Sequence, residues 1–209
     1  MSVSPALSHI SKQDRKEVYP PSVDTFLLLD SIANDRAFLQ QHQPALVLEV
    51  GVGCGAVLAS VATLFGPQAM FLGLDINQAA CVLAQRTLAE NQAPLADLAV
   101  ADLYKGFNLT GKVDVLICNP PYVITSAEEY EECQQRKDLS SSFAGGEDGR
   151  QFINLLIEHK HVLADSGVVY LLFEEHNGAF GGVPLSETRS GCEGLSVVRL
   201  TKEEFRFLE

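Results

Sequence analysis

Leu46-Val47-Leu48-Glu49-Val50-Gly51-Val52-Gly53-Cys54-Gly55 is a short apolar run that breaks directly into three alternate glycines. An apolar run of this length, bounded by a turn signal, reads as a buried strand. Residues 56–65 then carry a helical pattern that Gly66-Pro67 ends. A strand, a glycine loop and a helix in this order let backbone approach a ligand closely and aim the helix N-terminus at it. Glu49 is the odd residue, because a carboxylate near the end of a buried strand is costly unless it is paired or holds a ligand. The loop alone does not name the ligand. Gly51, Gly53 and Ala56 also satisfy G-x-G-x-x-A, so a dinucleotide is formally allowed.

Downstream the unit repeats. Residues 70–76 form a second strand that ends at Asp75-Ile76, with Asp75 24 residues after Gly51. That is about the spacing at which such folds place an acid on a ribose diol. Residues 78–91 read as a helix, and 98–103 as a weaker third strand, again with an acid near its end (Asp102-Leu103). Two acids at successive strand ends exceed what chance capping supplies.

The fourth strand, 113–118, runs into Asn119-Pro120-Pro121-Tyr122. The prolines stop the strand, since neither donates to a ladder and each fixes φ. Asn119 and Tyr122 are thereby set on a rigid corner at the carboxyl end of a strand, where open α/β sheets bind ligands. Pro-Pro offers carbonyl acceptors without N–H donors, Asn119 adds an acceptor, and Tyr122 adds a flat aromatic face. Such a corner suits a planar group bearing N–H hydrogens, an amide or a ring amine. Asn119 and the Pro120 carbonyl each accept one N–H, drawing the nitrogen lone pair out of conjugation, while Tyr122 stacks on the plane. As a dipeptide pattern the same residues also make an ordinary turn.

Elsewhere the chain fills in a single domain. Residues 1–18 are polar and aperiodic and read as a flexible start; the domain runs from 19 to 209. Tyr19 to Thr25 turn into a helix with Ser22 or Asp24 as N-cap. Residues 124–142 read as an acidic loop or short exposed helix, and 143–150 as a glycine-rich turn that either enters a helix or walls the cleft. Residues 151–163 are amphipathic, 168–173 form a fifth strand, and 195–200 form the last. The alternation implies a doubly wound α/β fold, a mostly parallel Rossmann-like sheet with helices on both faces.

Composition excludes several classes. Of 209 residues 46% are apolar, which rules out a disordered chain. No apolar window reaches a membrane span, and no secretory signal is visible. Five scattered cysteines (54, 81, 118, 133, 192) without a C-x-x-C pair fit a reducing compartment, and neither they nor the histidines show metal-ligand spacing. A formal charge of −12 repels phosphate backbones and disfavours autonomous nucleic-acid binding.

Taken together, Glu49-x-Gly51-x-Gly53-x-Gly55, Asp75, Asp102 and Asn119-Pro120-Pro121-Tyr122 resemble the class I S-adenosylmethionine-dependent methyltransferases, in the amino-methylating branch. The stretch from Tyr19 to Asp30, the Ala144-Gly145-Gly146 … Gly149-Arg150 turn and the Leu195 to Val198 ending resemble the eukaryotic HemK-like release-factor glutamine methyltransferases. The resemblance implies S-adenosylmethionine as cofactor and methylation of the glutamine amide in the Gly-Gly-Gln motif of a peptide-chain release factor, with a histone lysine as a further reported acceptor. It implies a heterodimer with a small zinc-binding activator subunit over an apolar sheet edge near the third strand, and a cytoplasmic, also nuclear, setting. By matching position Tyr19, Thr25, Glu49, Gly51, Asp75, Asp102, Leu103 and Asn119 line the cofactor site, with Gly53, Gly55 and Ile76 beside them, and Asn119 to Tyr122 form the catalytic corner.

The chain departs from that family in one place. Only His176 to Gly182 separates the fifth strand from a strand at 183–189, too few residues for a crossover helix, which needs about a dozen. The last helix and strand region is therefore expected to be shortened. Two other readings stay open: a DNA or RNA amino-methyltransferase acting on adenine N6, and a catalytically weak binding module that keeps the fold.

Overall fold

A computed structural model of the chain describes residues 4–206 apart from positions 94, 179 and 192. Strands β1 (Leu46–Val50), β2 (Met70–Asp75), β3 (Ala96–Val100), β4 (Val113–Cys118), β5 (Leu163–Glu174), β6 (Val183–Ser190) and β7 (Glu193–Thr201) form one sheet in the order β3-β2-β1-β4-β5-β7-β6. The first five pair in parallel, and β7 runs antiparallel to both neighbours. β1 lies between β2 and β4, so chain order reverses there and opens a crevice at the strands' carboxyl ends.

Both sheet faces are buried, as a parallel sheet requires. Along β1, β4 and β5 alternate residues serve opposite faces. Val47, Val115, Ile117 and Tyr170 pack with helices α2 (Val23–Asn34), α3 (Arg36–His42), α4 (Ala56–Phe65) and α5 (Gln78–Glu90). Leu48, Leu116, Val169 and Leu171 pack with α7 (Gln151–Glu158) and α8 (Lys202–Arg206). Two expected spans move. The third strand closes at Val100, so Asp102 and Leu103 sit in the turn beyond it, Leu103 at φ +51°. The amphipathic helix stops at Glu158 and β5 starts at Leu163, which pairs with Val113. Residues 124–142 contain α6 (Ala127–Arg136), capped by Ser126 accepting from the Glu129 N–H at 3.1 Å.

The far edge shows where the shortening falls. β6 and β7 span eight and nine residues and pair as a hairpin; among the described residues no α-helix lies between β5 and β6. One 3-10 turn (Glu175–Asn177) precedes the glycines. The Phe180 ring packs 4.6 Å from that of Phe173, with the Arg150 guanidinium 5.0 Å above it. Phe180 and the fully buried Phe205 of α8 pack against the same core on that face of the sheet. Gly182 has φ +89°, and a Cβ there would meet the Arg199 carbonyl at 2.5 Å, so only glycine lets the strap press this close to β7.

Residues 4–18 have no sequence period, yet tertiary contacts hold them. They include α1 (Asp14–Glu17) and lie along α5. Ile10 and Val18 join Cys54, Ala56, Ala80 and Leu83 in a small core. Ala6 exchanges two hydrogen bonds with the Asn91 side chain at 2.7 and 3.0 Å, and Asp14 pairs with Arg86. A second tie joins the chain's ends: Tyr170 donates to Asp35 Oδ2 at 2.7 Å, and Arg199 pairs with the same oxygen while lying 3.5 Å over the Phe38 ring. Cys54, Cys81, Cys118 and Cys133 are buried free thiols; Cys192 lies outside the described residues. Among the described residues no helix is long and apolar enough to cross a membrane.

Candidate active site

The crevice holds a cavity of about 270 Å³. Its floor is the glycine loop. Gly51 and Val52 both donate to the Leu74 carbonyl, at 2.8 and 3.1 Å, so the loop is pinned to β2. Gly51 (φ +76°) and Gly53 (φ +52°) have open space where a side chain would stand, and both line the cavity. Gly55 is different and corrects the expectation from sequence. It does not line the cavity; a Cβ there would meet Ala84 of α5 at 2.8 Å. Its work is close packing of loop against helix.

Asp75 accepts from the Gly53 N–H through Oδ2 and from the Asn77 N–H through Oδ1, both at 2.9 Å. Burial raises its pKa, against the pull of those N–H donors. Asp102 faces the cavity from the turn after β3, paired with Lys105. Tyr19, Thr25, Glu49, Ile76 and Leu103 complete this half. The Tyr19 phenol is pushed up to about 12, first by burial and then by the Asp24 charge.

Glu49 is fully enclosed at the end of β1, and its Oε2 has no partner among the described residues. Burial holds its carboxyl well above the usual range; the Leu58 N–H opposes this and the nearby Asp75 charge adds to it. A carboxyl with a raised folded pKa contributes its stability below the unfolded value, and that is lost as pH rises through the folded pKa. Glu49→Gln keeps the shape and removes the ionisation. The ligand-free variant is expected to gain melting temperature over the parent progressively from pH 5 to pH 9. A gap that stays constant with pH would show that Glu49 is already ionised in the fold at pH 5.

The other half is the Asn-Pro-Pro-Tyr corner, where Asn119, Pro120, Pro121 and Tyr122 all line the cavity. Asn119 Nδ2 donates to Asp24 Oδ2 at 2.9 Å, while Asn119 Oδ1 is buried and has no partner among the described residues, on a residue that lines the cavity. The amide's orientation is thus set by Asp24, and its acceptor is left unspent. Asp24 is itself fixed by the Thr25 N–H at 2.7 Å. Behind the corner, Asn177 Nδ2 donates to the Tyr122 carbonyl at 3.1 Å and to the Asp148 carbonyl at 3.3 Å, and its Oδ1 accepts from the Glu174 N–H at 3.0 Å. Gly145 donates to Val123 at 2.8 Å and Val123 to Phe143 at 3.0 Å. The glycine-rich turn therefore backs the corner, and its Phe143 also lines the cavity. Burial, then the Asp24 and Tyr19 charges, drive the Tyr122 phenol far up, so it stays neutral.

Sequence reasoning missed Asp24, which it read only as a cap, and Asn177, Gln134 and Glu193. Asp24 has a readable signal in its place beside Tyr19 and Thr25. Gln134 and Glu193 reach the cavity from α6 and the start of β7. Nothing in their local sequence says so.

Comparison with known proteins finds methyltransferases over most of the chain. A family model described as methyltransferase small domain matches residues 25–136. Methyltransferase HEMK2 of Mus musculus is 32% identical over 213 residues, covering 95% of this chain and 96% of that protein. The eRF1 methyltransferase catalytic subunit mtq2 of Schizosaccharomyces pombe is 30% identical over 224 residues, covering 96% of each. Among solved structures, the hMettl16 catalytic domain superposes with a TM-score of 0.59 at 13% identity, over 89% of this chain and 73% of that one. The ribosomal protein L11 methylase of Lactobacillus delbrueckii superposes with 0.50 at 18% identity, over 87% and 81%. These two share the fold.

Proposed function

Because the chain belongs to the methyltransferase small domain family, we propose that it is an S-adenosylmethionine-dependent enzyme that methylates the glutamine side-chain amide in the Gly-Gly-Gln motif of a peptide-chain release factor. The relatives' names supply the acceptor class. The observation that carries the chemistry is the buried, partnerless Asn119 Oδ1, left unspent by the bond of Nδ2 to Asp24 on a residue that lines the cavity. A primary amide nitrogen is a poor nucleophile because its lone pair is delocalised. Two acceptors, Asn119 Oδ1 and the Pro120 carbonyl, fix its N–H hydrogens and hold the lone pair in line with an electrophile. Tyr122 supplies the flat wall.

The cofactor contributes a methyl group on a cationic sulfur. The residues present fit it: the loop glycines leave room for close approach, and Glu49 carries an uncompensated oxygen suited to a cationic end. Asp75 and Asp102 are the acids we assign to the ribose and the adenine amine, with Tyr19, Thr25, Ile76 and Leu103 enclosing them. The test is transfer of labelled methyl to a release factor, to its Gln→Ala variant at Gly-Gly-Gln, to a histone and to duplex DNA. Label on the release factor, lost in the variant, is the expected result. Label confined to DNA or histone would overturn the reading.

We also infer a small zinc-binding activator subunit as partner. β3 is an edge strand, and Met70, Leu95 and Val100 around it are 58%, 56% and 54% exposed, an apolar strip beside unpaired backbone. Such an edge favours strand addition by a partner. Val100→Lys is expected to abolish co-purification with the activator while shifting the stability of the isolated chain by no more than about 0.5 kcal/mol. Undiminished co-purification would place the partner elsewhere. Free buried thiols fit the cytoplasm as the setting.

A further inference from the structure

We propose that Gln134 is a specificity-determining residue that reads the carbonyl oxygen of the acceptor, so that the site selects a carboxamide over an amine. This rests on the glutamine-amide reading above and deepens it. Among the described residues, three partnerless buried side-chain atoms lie on residues lining the cavity: Glu49 Oε2, Asn119 Oδ1 and Gln134 Nε2. Glu49 belongs to the glycine-loop half. The remaining two are one acceptor and one donor. A primary carboxamide presents N–H groups and one carbonyl oxygen, so Asn119 and Gln134 match its two ends. An amine has no oxygen for Gln134 Nε2 to reach.

Gln134 is half-buried at the cavity. It is on α6, next to Cys133, the buried residue of that helix, whose carbonyl accepts from Ser141 Oγ at 2.7 Å. That bond ties α6 to the 3-10 turn Leu139–Ser142, which supplies Leu139, Ser141 and Ser142 to the same wall. A buried donor left without a partner is rare and costly, and a site that hydrogen-bonds its substrate discriminates against analogues that lack the matching atom.

A hydrogen bond to the carbonyl oxygen positions the amide without making its nitrogen more nucleophilic, so its loss falls on KM. Gln134→Glu is nearly the same shape but replaces the donor with an acceptor; Gln134→Leu removes both. Each is assayed with the activator subunit present, on Gly-Gly-Gln and Gly-Gly-Lys peptides, together with binding of S-adenosylhomocysteine and binding of the glutamine peptide to the S-adenosylhomocysteine-loaded enzyme. In both variants KM and peptide Kd for the glutamine peptide are expected to rise about tenfold, with kcat and S-adenosylhomocysteine affinity within about twofold. Preference for glutamine over lysine peptide is expected to fall by the same factor. Unchanged S-adenosylhomocysteine binding shows that the variants are folded. If the parent methylates the glutamine peptide and both variants keep its KM within twofold, this assignment is overturned and the glutamine-amide reading stands. If the parent neither binds nor methylates the glutamine peptide, both fall together.

Discussion

Asn119→Ala is expected to lower kcat for methyl transfer at least about a thousandfold while leaving S-adenosylmethionine affinity within about threefold. The expectation follows from what Asn119 does in the structure. Its Nδ2 is spent on Asp24 at 2.9 Å, so its Oδ1 is left as the inward acceptor. Alanine removes that acceptor, and a planar amide then keeps its lone pair in conjugation and loses its aim at the methyl group. A pre-organised polar group that acts on the reacting atom is typically worth about 10²–10³ in kcat, and misalignment adds to this. Asn119→Asp is the informative companion. It retains an acceptor, but it sets one carboxylate against another at hydrogen-bond distance, so it is expected to be inactive as well. Single-turnover transfer measured beside equilibrium cofactor binding separates the two effects. Asn119→Ala activity within tenfold of the parent would remove the corner from the chemistry.

Asp35→Ala is expected to destabilise the fold by about 3 kcal/mol, the largest stability effect foreseen for a residue remote from the cavity. Asp35 and Arg199 each expose only 15% of their side chains, and Tyr170 directs its hydroxyl to the same carboxylate. Removing the carboxylate leaves a partly buried guanidinium without an anion and a buried hydroxyl without an acceptor. The cation keeps its contact with the Phe38 ring, which holds the loss near the lower end for buried pairs. Tyr170→Phe removes only one hydrogen bond and is expected to cost about 1 kcal/mol. Urea denaturation of the two single variants and the double variant measures the coupling. A loss below about 1 kcal/mol for Asp35→Ala would mean that solvent already serves Arg199.

The parts legible in the sequence are those fixed by local backbone chemistry. The run from Leu46 to Gly55 forces a strand, a loop and a helix, and the prolines after Asn119 force the corner. Asp75 was readable because its distance from the loop is set by one crossover. The distance from Glu175 to Val183 announced the missing helix. What was not legible depends on rotation about an axis that only tertiary packing sets. Gly55 sits in the same alternation as Gly51 and Gly53, yet it faces Ala84, since the chain has begun to turn into α4 by then. Asp24 looks like a cap until tertiary packing brings it to Asn119. Gln134 looks like one more polar residue on an acidic helix until α6 is folded over the cavity. Residues 4–18 have no pattern because they cover a helix already formed by others.

The strap that replaces a helix between β5 and β6 also has a kinetic meaning. The parallel half of the sheet must bring distant segments together, such as Val47 beside Val115. The antiparallel half, β5 to β7, lies within residues 163–201 and closes through short connections. Contacts close in sequence lose less chain entropy on forming. With no helix to dock between β5 and β6, the β6–β7 hairpin lays β7 directly against β5, and the three strands are able to assemble as one local unit. Their end of the sheet then serves as a template on which β4, and after it β1 and the crevice, take their places.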